Sequence, residues 1–498
     1  MPQTIRSSSR ASTLKNQIKE FWKSLERKDF EPIEERLAVA QVSKSGFFFI
    51  APGLMILSAY VTWVLFPEES GTDSIGLFHG TAAIVFMGWA LLLATRLKPL
   101  ELAFGGFDRL HVWHRWAGIA SIVFLYLHTM SENEVEQGIR PFGVAAEEAG
   151  LVMASPAQTA LVTLVMISAL RVLPYRIWRY SHIGLLLPFA FSAWHAFTAV
   201  RPSGLFDLTG WWLWGWSIVG TLAFLYRIFV VDSGYFDSKV KVASAANLDG
   251  GVQLDLKSKH QGGWKTAKPG RFVFLRIGGL WKEAHPFSVV RLNNSKDVIT
   301  VMAKKAGDWT SDRLTVVKAG DVVSVSKPYG HLRLSSQSKT PVWIAGGSGV
   351  TPFLQNESYL QSLPQKPNLI YFFRGEGSAL GLEHLRQLAS SGLLSLTEID
   401  TSKKSRDKSS LGLEIPSKSH VVVCGPRKLV VDMMRLARKQ KAGSFAFEIY
   451  DYKSPFGPNL NPLLKTVLEF ALPVKVMSKL HWLFDEAASP RELRSTKP

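Results

Sequence analysis

The first half of the chain contains six long apolar runs, which lie near residues 46–66, 75–95, 112–130, 157–174, 182–200 and 211–231. Each run is close to the ~20 residues that a helix needs to cross a hydrocarbon core of ~30 Å. The pattern predicts an all-α six-helix membrane bundle over residues 45–232, preceded by a polar segment, 1–44. A very apolar soluble helical domain is the alternative interpretation.

The charges of the connecting segments predict the orientation of this bundle. "ATRLKPLELAFGGFDRLH" and "RVLPYRIWRY" carry Arg and Lys, whereas "PEESGTDS" and "SENEVEQGIRPFGVAAEEAG" are acidic. Basic connections stay on the cytoplasmic side, so six spans place both termini in the cytoplasm, at a plasma membrane or a bacterial inner membrane. No cleavable signal peptide is expected, because the first apolar run begins only near Gly46.

The pattern changes after Asp232. Short β-rich segments broken by Gly and Pro, such as "GRFVFLRI" and "DVITVMAKKAGDW", predict an antiparallel β-barrel over residues 233–335. The later strands "TPVWIAGG", "NLIYFFRG" and "SHVVVCGP" alternate with helical segments and predict a parallel-sheet α/β domain over residues 336–453. Residues 454–498 predict two further helices separated at Pro473, either a cap on the α/β domain or an element that lies on the membrane and controls access.

Composition supports a mixed membrane and soluble chain. Of its 498 residues, 47% are hydrophobic and 20% are charged, and the net charge is +18. A basic surplus is typical of membrane proteins that hold Lys and Arg on the cytoplasmic side, so no nucleic acid partner is expected. The one cysteine, Cys424, excludes an intrachain disulfide and any metal site that needs several thiolates.

Four histidines stand in the apolar runs. His114 and His128 are 14 residues apart, which on a helix is about 21 Å of rise and about 40° short of four turns, so both project to one side at different depths. His182 and His195 are 13 residues apart, so on an ideal helix their side chains point about 140° away from each other. Ligation at two matched levels then requires either distortion of the helix at Pro188 or a different approach angle.

The third and fifth runs cross the membrane in the same direction, so His114 shares a depth with His182, and His128 shares one with His195. Two imidazoles at each of two depths suit axial ligation of two haem irons. For any single histidine, a hydrogen-bonded interior residue is the alternative.

With these histidines ahead of a barrel and an α/β domain, the chain resembles the transmembrane NADPH oxidases and ferric reductases over roughly residues 45–453. The resemblance implies two b-type haems in the six helices and a cytoplasmic unit, related to ferredoxin–NADP reductase, that binds FAD and NADPH. The oxidases of this family use histidine spacings of 14 and 13, whereas fungal ferric reductases tend to use 14 and 14. The spacings found here favour the oxidase branch.

Two motifs resemble the FAD-binding segments of the family. In "HPFSVV" the resemblance places His285, Pro286, Phe287 and Ser288 along the isoalloxazine, with the Ser288 hydroxyl able to bond the reactive ring nitrogen. By itself this motif is also compatible with an ordinary barrel strand. The segment "KKAGDWT" resembles the one that meets the FAD pyrophosphate, and the residues it assigns to that role are Lys304, Gly307, Asp308 and Thr310. Cationic and backbone donors suit a diphosphate.

The segment "VWIAGGSGVTPFLQ" indicates a nicotinamide site. An apolar strand runs into Gly346, Gly347 and Gly349, and Thr351 and Pro352 are expected to open a helix. Glycines let the backbone approach a pyrophosphate, and a helix N-terminus directs free amides at it. The segment is not a G-x-G-x-x-G fingerprint, but it resembles the G-G-x-G-[VI]-T-P form of the family.

Further candidates for nucleotide binding lie at the ends of two predicted strands. Arg374 in "LIYFFRGEGS" lies where the family often places an arginine for the 2′-phosphate, which favours NADPH over NADH; a solvated arginine is the alternative. "VVVCGP" resembles the turn beside the nicotinamide, with Cys424 in a supporting role next to Gly425 and Pro426.

"FEIYDYK" fits the closing motif of the family, which implies that Tyr450 covers the flavin where the nicotinamide must bind. The resemblance thus brings Ser288, Cys424 and Tyr450 to the reacting rings. The family generally stops at the residue that corresponds to Lys453, whereas this chain continues.

The expected function is electron transfer across the lipid bilayer, from NADPH through FAD and two haems to an acceptor outside. Molecular oxygen, giving superoxide, is the first expectation; a ferric chelate is the second, and an external protein or quinone is the third. Glu132, one turn beyond His128, is acidic where an oxidase is expected to have a cationic or neutral donor. A membrane-anchored flavoreductase without haem, with a cytoplasmic protein acceptor, is the alternative of a different class. The need for a regulatory partner stays open.

Overall fold

The computed structural model describes residues 47–65, 72–104, 106–131, 138–170, 175–201, 205–248, 250–304, 309–330, 332–336, 339–402 and 413–449, together with Leu468 and Val476. The predictions that concern residues 1–44, residues 454–498, Gly307, Asp308, Glu132, Tyr450 and Lys453 fall outside these residues.

Apolar helices make up the N-terminal part. They are α1 (Phe47–Leu65), α2 (Thr72–Leu93), the short α3 (Lys98–Ala103), α4 (Phe107–Met130), α5 (Val144–Leu170), α6 (Tyr175–Ile183), α7 (Leu186–Thr198) and α8 (Leu208–Tyr226), which continues as a π-helix, Arg227–Asp232. By length and composition, three segments of the described chain can cross a membrane: Ile75–Leu93, Val144–Ser168 and Leu208–Asp232. Gly53–Leu65 is apolar but shorter. The apolar helices of a membrane protein are therefore present, and six spans stay a prediction.

The fourth apolar run begins earlier than predicted. Helix α5 starts at Val144, inside the segment that was expected to be an acidic loop, rather than near residue 157. Ala and Glu, which favour helices, follow Gly143, and Glu147 lies in the first turn, where the helix dipole favours a negative charge.

The fifth run is broken into two helices, α6 and α7. Pro188 has no N–H to donate to the Gly184 carbonyl four residues earlier, and this carbonyl accepts from Leu187 N at 3.1 Å instead. Of the two explanations left open for the 13-residue spacing, distortion at the proline is the one that the structure shows. The break lets His182 and His195 face the same neighbouring helix although an ideal helix would turn them apart.

The barrel agrees with the prediction. Its strands are β1 (Ser238–Leu248), β2 (Gly251–Lys257), β3 (Phe272–Arg276), β4 (Ala284–Leu292), β5 (Val298–Lys304) and β6 (Val322–Val325). They close in the order β1-β2-β5-β4-β3-β6, and all the neighbouring strands are antiparallel. Alternate side chains, among them Val240, Val242, Phe287 and Val289, fill the interior.

The α/β domain also agrees with the prediction. It contains β7 (Pro341–Gly346), α9 (Glu357–Gln361), β8 (Asn368–Phe373), α10 (Leu382–Ser390), β9 (Ser395–Asp400), β10 (His420–Gly425), α11 (Arg427–Lys439) and β11 (Ser444–Ile449). The sheet is parallel, in the order β11-β10-β7-β8-β9. The chain leaves β7 toward β8 on one side and returns to β10 on the other. The carboxyl ends of β7 and β10 therefore form the switch point at which such sheets bind ligands.

Candidate functional site

The four histidines of the apolar helices form two pairs. The ring centroids of His114 and His182 lie 5.9 Å apart, and those of His128 and His195 lie 6.2 Å apart. With metal–nitrogen bonds of about 2.0–2.1 Å and a ring radius of about 1.1 Å, two imidazoles on opposite sides of one metal place their centroids roughly 6.2–6.4 Å apart. Both pairs are close to this spacing, so the residues present fit two axial ligand pairs. We call His114 and His182 the inner pair, because Phe107 at that end of α4 packs on the barrel.

The hydrogen bonds of α4 set the tautomer of its two histidines. His114 Nδ1 lies 2.7 Å from the Ala90 carbonyl, and His128 Nδ1 lies 2.9 Å from the Gly76 carbonyl. A carbonyl only accepts, so each Nδ1 carries the proton and each Nε2 keeps its lone pair. This is the arrangement that metal-binding histidines usually have.

His182 reaches the same state through a serine. Its Nδ1 lies 3.0 Å from Ser168 Oγ, and this hydroxyl donates its own proton to the Leu164 carbonyl at 2.7 Å. Ser168 must therefore accept from His182, which leaves His182 Nε2 as a free acceptor.

A glycine makes room for the outer pair, His128 and His195. A Cβ on Gly80 would lie 3.1 Å from His128 Nδ1, a tight contact that the ring could meet only by moving a few tenths of an ångström. The missing side chain therefore leaves the His128 ring its position against helix α2. His79, beside it, lies 3.0 Å from Ser131 Oγ through its Nδ1.

The predicted flavin strand is β4. Phe287 points into the barrel core, so Pro286 and Ser288 lie on its outer face. On the neighbouring strand β3, Phe272 is opposite Ser288 and Phe274 is opposite Pro286.

Trp309 stacks on His285 with centroids 4.1 Å apart and planes at 28°. The sequence interpretation did not single out Trp309, although it is the aromatic position of the "KKAGDWT" motif. Of the other residues predicted to meet the pyrophosphate, Lys304 ends β5 and Thr310 follows Trp309.

The glycine-rich segment differs from its prediction. Thr351 and Pro352 do not open an α-helix; they lie in a 3₁₀-helix, Gly347–Phe353, and the next α-helix, α9, has Asn356 as its N-cap. Gly347 has a φ of 56°, which glycine adopts without strain. Any amides offered to a pyrophosphate come from the start of this 3₁₀-helix and not from an α-helix N-terminus.

The turn after β10 packs on this 3₁₀-helix. A Cβ on Gly349 would collide with the Cys424 carbonyl, and a Cβ on Gly346 would lie 2.9 Å from the Pro426 ring. Gly425 has a φ of 155°. The Cys424 side chain is fully buried in the sheet core, and its supporting role stays a prediction.

The predicted flavin strand and the predicted nucleotide-binding turn contact each other through two hydroxyl groups. The Ser288 and Thr351 hydroxyl oxygens lie 3.1 Å apart, and both residues are buried. The flavin strand therefore touches the turn that is predicted to hold the nucleotide. Arg374 is exposed immediately after β8, at the same carboxyl edge of the sheet, where Gly375 N donates to Asp400 Oδ1 at 2.9 Å.

An aromatic cluster joins β3, the strand beside the flavin strand, to the inner pair. The Phe107 ring lies 6.2 Å from Phe272 and 5.7 Å from Phe274, and Arg96 lies over Phe274 at 3.9 Å. At its other side, Phe107 meets His111 at 4.7 Å, one helical turn before the inner ligand candidate His114. The sequence interpretation did not predict this cluster.

Polar contacts fix the same junction. Glu101, which is fully buried, accepts a hydrogen bond from Gly330 N at 2.6 Å and pairs with Lys98 at 3.3 Å. Lys98 also lies 4.9 Å from the centre of the Tyr329 ring. Burial raises the pKa of Tyr329, so this phenol stays neutral at physiological pH. Helix α3 is thereby held on the barrel.

Two protein families match parts of the chain. Residues 79–194 match the family described as "Ferric reductase like transmembrane component", and residues 238–367 match the family described as "FAD-binding domain".

Curated relatives include a probable cell surface ferric reductase, kap2, of Aspergillus oryzae. It is 23% identical over 353 residues, which cover 64% of this chain and 45% of the relative. Ferric reduction oxidase 5 of Arabidopsis thaliana is 34% identical over 92 residues, 17% of this chain and 13% of the relative. The chain thus spans less than half the length of either relative.

Similar solved structures include phthalate dioxygenase reductase, at 19% identity and a TM-score of 0.35, covering 43% of this chain and 68% of that one. Flavohemoglobin from Malassezia yamatoensis gives 16% identity and a TM-score of 0.42, covering 79% of this chain and 98% of that one. The two family matches follow one another along the chain in the order of its apolar helices and its barrel. The chain therefore fits the transmembrane NADPH oxidase and ferric reductase family, with a ferric reductase-like transmembrane component ahead of an FAD-binding domain.

Proposed function

We propose that the chain is a transmembrane oxidoreductase, which passes electrons from cytoplasmic NADPH through FAD and two b-type haems to an acceptor across the membrane. The observation that carries this proposal is the stack of two histidine pairs between α4 and the broken helix α6–α7. The Phe107 cluster joins the inner pair to β3, the strand beside the flavin strand. A membrane anchor without haem has no need of two opposed histidine pairs at two levels of the apolar helices.

The residues of the chain take distinct roles in this proposal. When bound, FAD accepts two electrons from a nicotinamide and releases them singly, which suits haem iron. Ser288 and Thr351 bring the flavin strand and the nucleotide turn together. His114 and His182 would hold the inner haem, and His128 and His195 the outer one.

For the acceptor we propose a ferric chelate, because the relatives kap2 and ferric reduction oxidase 5 carry ferric reduction in their names. Molecular oxygen, with superoxide as the product, is the second candidate. The observation that favours oxygen is the histidine spacing of 14 and 13.

The test uses the purified full chain with its cofactors. We expect a reduced-minus-oxidised spectrum with a Soret shift and sharp b-type bands. In proteoliposomes with the NADPH site facing out, a ferric chelate trapped inside should be reduced faster than superoxide appears there. A spectrum without these bands would contradict the haem proposal, and a membrane-anchored flavoreductase without haem would then be the better interpretation. If superoxide forms faster than the ferric chelate is reduced, molecular oxygen and not the ferric chelate is the preferred electron acceptor.

Arg374→Ala is expected to raise the KM for NADPH about 10- to 100-fold and to spare NADH. This corresponds to the loss of a charge-assisted contact of about 1.5–3 kcal/mol to the 2′-phosphate. Steady-state flavin reduction with both nucleotides measures the effect, and Arg438→Ala, at the exposed end of α11, is the matched control. An equal loss with NADPH and NADH would show that Arg374 has a structural role.

A further inference from the structure

The side of the barrel next to the last apolar helix exposes large apolar residues. Tyr235 and Phe236, each 69% exposed, follow Asp232, where that helix ends. Leu280 and Trp281, 52% and 54% exposed, form the tip of the β3–β4 hairpin. Trp281 lies 6.1 Å from Phe229 of the π-helix, so the hairpin tip and the end of the helix share one surface.

The hairpin is firmly held in this position. Trp281 N donates to the Ser233 carbonyl at 2.9 Å, and the buried Arg276 guanidinium donates to the Asp232 carbonyl at 2.9 Å. Trp281 has a φ of 63°, in the left-handed region that bulky residues avoid. Such a backbone persists where the surrounding structure holds it, as the bonds to Ser233 and Asp232 do here.

Strand β1, which begins two residues after Phe236, lines a groove of about 800 Å³. Its lining contains four lysines and no acidic residue: Lys239, Lys241, Lys257 and Lys259. Lys241 is directly opposite Lys257 across β1 and β2, and like charges in that position are destabilising. Asp297 interacts electrostatically with Lys257, but the groove keeps a surplus of positive charge. Such a surplus is complementary to a row of phosphates.

The groove lies close to the end of the last apolar helix. Lys239 is seven residues after Asp232, so the chain between them spans at most about 25 Å. Strand β1 begins and strand β2 ends at the end of the barrel that the chain enters from this helix. Aromatic side chains favour the membrane–water interface, and clustered lysines just beyond a spanning helix attract anionic lipids.

We propose that Tyr235, Phe236, Leu280, Trp281 and the four lysines form a membrane-facing rim that binds anionic phospholipid headgroups. The apolar side chains lie at the interface while the lysines reach the phosphates. This rim fixes the pose of the barrel on the bilayer. The proposal requires the last helix to be in the membrane, but it does not depend on the electron acceptor or on haem ligation.

The experiment measures hydrogen exchange of the full chain, with its cofactors, in nanodiscs. We expect residues 238–259 and 278–284 to exchange about tenfold more slowly in discs with roughly a third phosphatidylglycerol than in pure phosphatidylcholine discs. Raising the ionic strength to about 1 M, where the Debye length is about 3 Å, should remove the difference.

Two variants separate lipid binding from folding. Lys241→Gln with Lys257→Gln should abolish the lipid-dependent protection without lowering the Tm, because it relieves a like-charged pair. Lys366→Gln with Lys439→Gln, which removes two exposed charges from the α/β domain, is the matched control and should keep the protection. Trp281→Gly suits the left-handed backbone, so it should fold and lose protection only over residues 278–284.

Three outcomes would overturn the proposal. The first is equal exchange in the two kinds of disc, and the second is an equal loss with the control pair. The third is equal protection by inorganic phosphate in neutral discs, which would make the groove a site for free anions. None of these results bears on the haem spectrum, so the rim and the proposed function fail separately.

Discussion

His128→Leu should abolish reduction of the acceptor on the far side of the membrane, by at least about 100-fold, while NADPH-dependent reduction of FAD continues. Leucine fills a similar volume but offers no lone pair, so it would leave His195 without the imidazole that faces it at 6.2 Å. A factor of 100 corresponds to about 2.7 kcal/mol of barrier.

The selectivity of this effect follows from the distance along α4. His114 of the inner pair lies 14 residues away on the same helix, about 21 Å by helical rise. The inner pair keeps its own contacts, His114 to Ala90 and His182 to Ser168. The junction with the barrel is at that inner end, so flavin reduction should not change.

The measurement combines haem content, the reduced-minus-oxidised spectrum and stopped-flow flavin reduction. We expect one of the two b-type signals to disappear. His79→Leu is the matched control, because it makes the same substitution one residue from Gly80, and it should keep both signals. External reduction at the parent rate in His128→Leu would show that His128 is not a ligand.

Gly349→Val should lower NADPH-dependent flavin reduction by about 100-fold or more and leave reduction of the haems by dithionite unchanged. A Cβ at this position would collide with the Cys424 carbonyl and would also lie 2.5 Å from its carbon. These are backbone atoms of a central strand, so they have little freedom to move. The 3₁₀-helix would have to shift, taking Thr351 away from Ser288.

Single-turnover flavin reduction under anaerobic conditions measures this effect, and FAD content and the haem spectrum are recorded in parallel. Gly377→Ala is the matched control: it lies in the same domain with nothing within 4 Å of a Cβ. Parent-like reduction in Gly349→Val would show that the close packing of the two turns is not needed to bind the nucleotide. Loss of FAD in this variant would indicate that the damage extends to the barrel.

The sequence was informative wherever the signal is local. The length of the apolar runs correctly predicted apolar helices. The β-rich segments, first broken by Gly and Pro and later alternating with helical segments, correctly predicted a barrel and a parallel sheet. The depth of each histidine along its run likewise predicted which imidazoles share a level, and the structure brings those same side chains together.

Local backbone detail was harder to predict. The break between α6 and α7 was one of two open alternatives, because a proline can bend a helix or merely be tolerated by it. The helix predicted at Thr351 is a 3₁₀-helix instead, since whether a turn continues as a helix depends on what packs against it, here the Cys424 strand.

The sequence by itself determined the classes of element, their order along the chain and the chemical types of the candidate ligands, because each of these rests on residues that are close in sequence. Only the tertiary structure decided how the parts meet. The bond from Gly330 to Glu101 joins residues 229 positions apart, and Phe107 meets Phe272 across two domains. The membrane-facing rim likewise combines a hairpin tip with a distant helix end. Such contacts leave no periodic pattern and no motif in the sequence, because they form between surfaces that become neighbours only after the helices and the barrel have folded.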